Sequence, residues 1–123
     1  MPEVLVPFAD KYPGVKVIAS HLGCGWDGEL YHQVRAVKEA KYHNIYTDVS
    51  SGRSLVNHLI EWALEEIPTE NLMFGTDFPI HHAPMMRARI DGADISEDIK
   101  QKILFQNACR LFSEKIGGTI DCE

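Results

Sequence analysis

Asn71-Leu72-Met73-Phe74-Gly75-Thr76-Asp77-Phe78-Pro79 is a short apolar run that delivers a carboxylate into a turn bounded by glycine and proline. Such a run between turn formers reads as a buried strand, here Leu72 to Gly75, with the acid just past its end. Val15-Lys16-Val17-Ile18-Ala19-Ser20-His21-Leu22-Gly23 repeats the arrangement upstream: a strand from Val15 to Ala19, then a histidine, then a glycine. Between them Asn44 to Val49, with Ile45, Tyr46, Thr47 and Val49, reads as another strand. The strand ends fall at equal intervals, since 49 − 21 and 77 − 49 are both 28. Each interval is long enough for one strand and one helix, which makes the chain a βα repeat.

The intervening segments carry helical patterns. Val4 to Tyr12 reads as a short helix stopped by Pro13-Gly14, and Trp26 to Tyr42 places Leu30, Val34 and Val37 on one face. Leu55, Val56, Leu59, Ile60, Ala63, Leu64 and Ile67 form a continuous stripe that Ser51 or Ser54 can cap and Pro68 ends. A segment rich in His, Met and Arg follows Pro79 and reads as a loop. Ser96-Glu97-Asp98 then supplies a cap and an acidic first turn for a last helix running through Leu111-Phe112 to Gly117-Gly118. A (β/α)₈ barrel of ~250 residues spends roughly 31 residues on each unit. The predicted fold class is therefore α/β: residues 1–123 as a single domain, the C-terminal part of a TIM barrel with about three parallel strands, incomplete in this chain. A flavodoxin-like open sheet fits less well, because Gly23-Cys24-Gly25 is a weak version of the phosphate loop it requires.

Composition narrows the function classes. The length of 123 residues and 45% apolar content suit one soluble core. A net charge of −6 without a basic patch argues against a nucleic-acid partner or an anionic membrane surface. No apolar run approaches the ~20 residues that span a bilayer, and Met-Pro-Glu does not begin a signal peptide, so the expected compartment is the cytoplasm. Cys24, Cys109 and Cys122 show neither C-x-x-C spacing nor a disulfide framework, which fits a reducing compartment, with Cys109 a small core residue.

Functional residues of such barrels sit at the C-terminal ends of the strands, and alternate strand residues point inward. By that parity Val17, Ala19 and His21 share a face, as do Met73, Gly75 and Asp77, so imidazole and carboxylate converge on one site. The pair suits a divalent cation, Zn²⁺ or Mn²⁺, and the activation of bound water. The plainer alternative is a hydrogen-bonded structural histidine and an aspartate that caps a turn. His81 and His82 follow on the same face, and Arg87 or Arg89 can grip a substrate carboxylate, although loop arginines are more often solvated. His32, His43 and His58 read as helix-surface residues, and Trp62 and Phe105 as packing of helices on the sheet. Asp48 is either turned toward the pocket or a strand-end cap.

Taken together, Phe8-Ala9-Asp10-Lys11-Tyr12-Pro13 before the first strand, Ser20-His21-Leu22-Gly23, Asn71 to Pro79, and Asn107-Ala108-Cys109-Arg110-Leu111-Phe112 resemble the C-terminal half of an amidohydrolase-superfamily barrel. The resemblance is to the branch of amidohydrolase-2 hydrolases and related metal-dependent decarboxylases, and it spans nearly the whole chain. It implies that His21 ends the sixth barrel strand as the catalytic histidine, or as a metal ligand. It implies that Asp77 ends the eighth as a metal ligand and proton acceptor, that Asp48, Ser50, Ser51 and Gly52 form the seventh-strand loop, and that Asn107 is structural. Departures accompany it. The family's H-x-H pair and its fifth-strand histidine would precede Met1, no H-x-H occurs in the chain, and Cys24 replaces a customary glycine. A Cys24/His21 nucleophile pair lacks an orienting third group.

The expected function is thus a metal-dependent hydrolase acting on a small carboxylated or cyclic compound, with a decarboxylase as the alternative and the site incomplete in this chain. Three parallel strands leave unpaired edges. The further alternative is accordingly a non-catalytic barrel fragment that pairs its edges with another copy or with a complementing half-barrel.

Overall fold

The computed structural model describes residues 1–116; the Gly117-Gly118 helix end and Cys122 lie outside the described residues. Three parallel strands, β1 (Val17–Ala19), β2 (Ile45–Asp48) and β3 (Leu72–Met73), form one sheet in the order β1-β2-β3. Each is shorter than its apolar run predicts, because the chain turns as soon as its neighbour's ladder ends. Ala19 lies opposite Thr47, and Thr47 opposite Leu72. Strand order follows chain order and both pairings are parallel, so successive crossovers step the same way across the sheet. A flavodoxin-like sheet would reverse direction partway. The open three-stranded sheet with its alternating helices is a partial α/β barrel of the TIM type.

The helices are α1 (Val6–Lys11), α2 (His32–Glu39), α3 (Leu59–Glu66), α4 (Ala83–Asp91), α5 (Glu97–Gln101) and α6 (Asn107–Ile116). Val34, Ala36 and Val37 of α2 and Leu59, Ile60 and Ala63 of α3 are buried against Ala19, Ile45 and Leu72, so the sheet's helix side is the core. Several boundaries differ from the sequence pattern. α2 begins at His32 rather than Trp26, whose indole is 98% exposed. A short 3₁₀ turn, Gly52–Leu55, takes the Ser51 cap, and α3 starts only after His58, whose φ of 61° breaks the helical path. The segment read as a His/Met/Arg loop contains α4. Ser96 does cap the last helical stretch, accepting from the Ile99 N–H at 3.3 Å. Between α5 and α6 the helix widens to a π turn at Lys102–Gln106, and there the Ile103 carbonyl accepts a 2.8 Å bond from the N–H of Phe74, just beyond β3. Phe105 is half-exposed and does not pack the sheet, whereas Trp62 does pack against the core. Cys109 is buried but disulfide-bonded, which corrects the expectation of a cysteine set without disulfides. No helix among the described residues is long and apolar enough to cross a membrane.

Three buried asparagines join the strands at their N-terminal ends. The Asn44 side-chain amide donates to the carbonyls of Ala9, Tyr12 and Val15, and that of Asn71 to His43 and Ile45 at 2.9 and 2.7 Å. Asn107 donates to Thr69 and Leu72 at 2.7 and 2.8 Å, the structural role its motif implies. Each amide reaches back to the start of the preceding strand, where carbonyls lie beyond the ladder and away from water.

His32 is not the surface residue its pattern suggests, being 4% exposed. Its Nδ1 meets Glu3 at 2.6 Å and its Nε2 both carboxylate oxygens of Asp27 at 2.9 Å, tying the N-terminal turn and the 24–31 loop to α2. The hydrogen bond to Glu3, with that to Asp27, raises the His32 pKa against the opposing effect of burial. Burial raises the Glu3 carboxyl, but its bonds to His32 outweigh this and hold it lowered, and Asp27 behaves likewise.

Two outcomes are expected. Asn71→Ala removes the donor to the buried Ile45 carbonyl and the part-buried His43 carbonyl and should cost about 2 kcal/mol of unfolding free energy in urea, with Asn71→Asp costing more because a carboxylate would face carbonyl oxygens. The raised His32 pKa contributes stability that is complete below its unfolded value of about 6.5 and is lost as pH rises through the folded value. The lowered carboxylates contribute theirs above about 4.5. The urea midpoint of the wild type should therefore fall between about pH 6 and pH 9, and His32→Gln should remove most of that slope.

Candidate active site at the strand ends

Beyond the C-terminal ends of the strands lie three loops: Ser20 to Cys24 after β1, Val49 to Ser51 after β2, and Phe74 to His82 after β3. His21 sits in the first with φ 71° and Asp77 in the third with φ 53°. Both are in the left-handed region, so strand alternation stops before either residue. The parity argument for their convergence does not hold. Ala19, taken as inward-pointing, is 6% exposed in the helix-side core, whereas its neighbour Ile18 is 37% exposed on the open face.

Hydrogen bonds place His21 instead. Left-handed backbone costs a non-glycine residue roughly 1–2 kcal/mol, and the turn around it is held on several sides. The Leu22 N–H donates to the Asp48 carbonyl at 2.8 Å, and the Ser54 hydroxyl donates to the Leu22 carbonyl at 2.8 Å. Gln33 of α2 donates to the carbonyls of Cys24 and Ser20 at 2.9 and 3.4 Å. Gly23 follows with φ 83°, and a Cβ there would lie 2.7 Å from Leu59, so the glycine of His-Leu-Gly is required by both backbone and space.

The ring of His21 is engaged by the second loop. Its Nδ1 lies 2.8 Å from the Ser50 hydroxyl, while one carboxylate oxygen of Asp48 accepts from the His21 N–H at 3.1 Å, the Ser50 N–H at 3.0 Å and the Ser50 hydroxyl. Asp48 thus belongs to the site, a role its residue type alone left open. Ser50 was missed as a ring partner. The only signal in the sequence was the serine pair directly after the second strand, since Asp48 forms the last pair of the ladder, with Met73, and the serine loop follows at once. Cys24 is exposed and its backbone N–H closes the turn onto the His21 carbonyl at 2.9 Å; the ring's partner is Ser50, not the thiol.

The remaining candidates divide. His81 reaches the same loop from the other side, its Nε2 accepting from the Gly52 N–H at 3.2 Å. With exposed Phe78, Ile80 and His82 it lines a pocket of about 360 Å³ after β3. The Asp77 carboxylate is exposed and makes no hydrogen bond to a described residue. Arg87 lies on the outer surface of α4, paired with Asp91 at 3.2 Å, and both are exposed. Arg89 is committed to Glu61 through two bonds of 3.3 and 2.7 Å. Burial alone would raise the Glu61 carboxyl, but Arg89 and the Asp94 N–H lower it to about 2, a clamp between α3 and α4. Neither arginine is turned to the strand-end loops by these contacts. His43 and His58 are exposed at left-handed positions remote from this network.

His21 and Asp77 have the donor chemistry of a divalent metal site. Among the described residues, however, no group of three His, Cys, Asp or Glu side chains converges to hold an ion. These residues by themselves do not make a complete metal centre.

Comparison with known proteins follows the same lines. An amidohydrolase family model matches residues 1–113. Gamma-resorcylate decarboxylases of Polaromonas sp. and Rhodococcus jostii are each 28% identical over 118 residues, covering 84% of this chain and 36% and 35% of theirs. The chain spans about a third of the length of these curated relatives. No solved structure gives a significant match. With its barrel-type sheet, its strand-end histidine and aspartate, and a family match over all but the last ten residues, the chain belongs to the amidohydrolase family.

Proposed function

We propose that this chain supplies the acid–base histidine of a decarboxylase that acts on a small aromatic carboxylic acid of the resorcylate type. The observation that carries the reading is the held His21, whose Nδ1 is occupied by Ser50 while its Nε2 makes no hydrogen bond to a described residue. Similarity to two decarboxylases favours carbon–carbon cleavage over hydrolysis, the first expectation from the motifs. In that reaction the bond from ring carbon to carboxylate breaks, carbon dioxide leaves, and the electron pair left on the ring takes a proton. An imidazolium Nε2–H of His21 is a suitable donor.

His81 and His82, beside the pocket after β3, are proposed to contact the substrate. Arg87 is set aside as a carboxylate anchor because Asp91 already pairs with it. Members of the family generally use a divalent metal. In this chain Asp77 is one candidate ligand and His21, its Nδ1 held by Ser50, keeps Nε2 for the proton, so a Zn²⁺- or Mn²⁺-dependent form of the reaction needs donors besides the described residues. The edges of β1 and β3 are proposed to be covered by strands that complete the barrel, from another copy or a complementing part.

The test is carbon dioxide release from 2,6-dihydroxybenzoate by the purified protein supplied with Zn²⁺ or Mn²⁺, with its mass followed by light scattering. Turnover by an assembled species that falls at least ~100-fold in His21→Ala is the expected result. Hydrolysis of amide or lactone substrates without decarboxylation would replace this reading by the hydrolase. Neither activity in an assembled, metal-supplied protein would overturn it in favour of a non-catalytic binding module.

A further inference from the structure

We propose that Asp48 and Ser50 are positioning residues for His21: together they fix its neutral imidazole as the Nδ1–H tautomer and reserve Nε2 for proton exchange with substrate. The assignment of a catalytic consequence rests on the reading of His21 given above; the tautomer itself rests on geometry alone.

The Ser50 hydroxyl has one proton and two neighbours, the Asp48 carboxylate and His21 Nδ1 at 2.8 Å. An ionised carboxylate only accepts, so the hydroxyl proton lies toward Asp48. The serine oxygen is then left with lone pairs alone for the ring, and the hydrogen in the second contact must be on Nδ1. Ser50 is 5% exposed, so bulk water offers little competition for either bond. The same Asp48 oxygen also accepts from the backbone N–H groups of His21 and Ser50, which leaves the carboxylate no freedom to turn away. One oxygen therefore sets the histidine's main chain directly and its ring through a single hydroxyl.

Space confirms that the pair is confined. A Cβ built on Gly75, just beyond β3, would stand 3.0 Å from Ser50 Cβ and 3.3 Å from Asp48 Cγ. The glycine of the Gly-Thr-Asp-Phe-Pro turn is the residue that lets the third loop close over the relay. The direction of the bonds also excludes a serine nucleophile. A histidine that activates serine accepts the hydroxyl proton, whereas here the proton goes to Asp48 and the ring is the donor.

For chemistry at Nε2 the arrangement has a specific value. Nδ1–H donates to Ser50 whether the ring is neutral or cationic, so Nε2 gains and loses a proton without any change of ring orientation. In a decarboxylation this keeps the acid aimed through the step at which the ring carbon is protonated.

The decisive measurement is long-range ¹⁵N–¹H NMR on the full chain with ¹⁵N-labelled histidine, in alkaline buffer where imidazole rings are neutral. The wild type should show His21 with a protonated, pyrrole-like Nδ1 and a pyridine-like Nε2. Ser50→Ala should make Nε2–H the majority form, and Ser50→Thr, which keeps the hydroxyl, should restore the wild-type pattern. An Nε2–H tautomer at His21 in the wild type overturns the proposal, as does an unchanged tautomer in a Ser50→Ala protein whose His32 signals are undisturbed. Should Ser50→Ala not fold, the wild-type spectrum alone decides. Because the spectrum needs no substrate, an inactive protein with the Nδ1–H form would count against the decarboxylase reading and leave this one standing, and the reverse result would separate them equally.

Discussion

At the start of each of the three parallel strands, carbonyl oxygens accept from a buried asparagine amide that comes later in the chain. Parallel strands joined by helices have no shared turn to fix their register, and the carbonyls at their starts lie outside the ladder. Asn44, Asn71 and Asn107 satisfy those carbonyls with two-proton donors, a task no apolar residue of similar size performs. Because the starts are aligned and the strands are short, the ends are aligned too. The loops that carry His21, Asp48 and Asp77 therefore emerge beside one another instead of at scattered heights.

What happens beyond the ends is governed by an acceptor, the half-buried carboxylate of Asp48. His21 holds a left-handed conformation that strand geometry would not give it, and its neighbours are arranged to make that conformation the satisfied one. Asp48 accepts the His21 N–H with its side chain and the Leu22 N–H with its carbonyl, while Gln33 and Ser54 take the carbonyls on the turn's outer side. Net hydrogen bonds of about 1 kcal/mol each suffice to offset a backbone cost of roughly 1–2 kcal/mol. The strain at His21 is thus met by groups of β2, α2 and the following turn.

Much of the fold was legible because its signals are periodic. The 28-residue spacing of the strand ends, the apolar face of Val34 and Val37, and the stripe from Leu59 to Ile67 all report a core that the structure contains. The errors have local causes. Helix starts were placed early at Trp26 and Leu55 because an apolar pattern does not record a left-handed residue such as His58. α4 was overlooked because its methionines and arginines alternate between buried or half-buried positions (Met86, Arg89) and exposed ones (Met85, Arg87), which gives its sequence no clear apolar face. His32 looked like a surface residue because its carboxylate partners, Glu3 and Asp27, are on other elements. In the site the residue types were readable and their geometry was not. Alternation was extended two residues past β1 and four past β3, onto His21 and Asp77, where positive φ cancels it, and the partnership of His21 with Ser50 depends on a contact across 29 positions of sequence.

The two strand-end residues that the motifs present as a pair are physically unlike. The orientation of His21 is settled within the chain, since each group that holds its backbone and ring belongs to the described residues. That of Asp77 is not, because its exposed carboxylate makes no hydrogen bond to a described residue. A preorganised histidine needs nothing further from the rest of a barrel, whereas an unsupported carboxylate acquires direction only from a cation or a donor brought to it. The division follows the topology. Side chains fixed by loops between adjacent strands are oriented within a three-stranded sheet, and a side chain that no neighbouring loop engages is not.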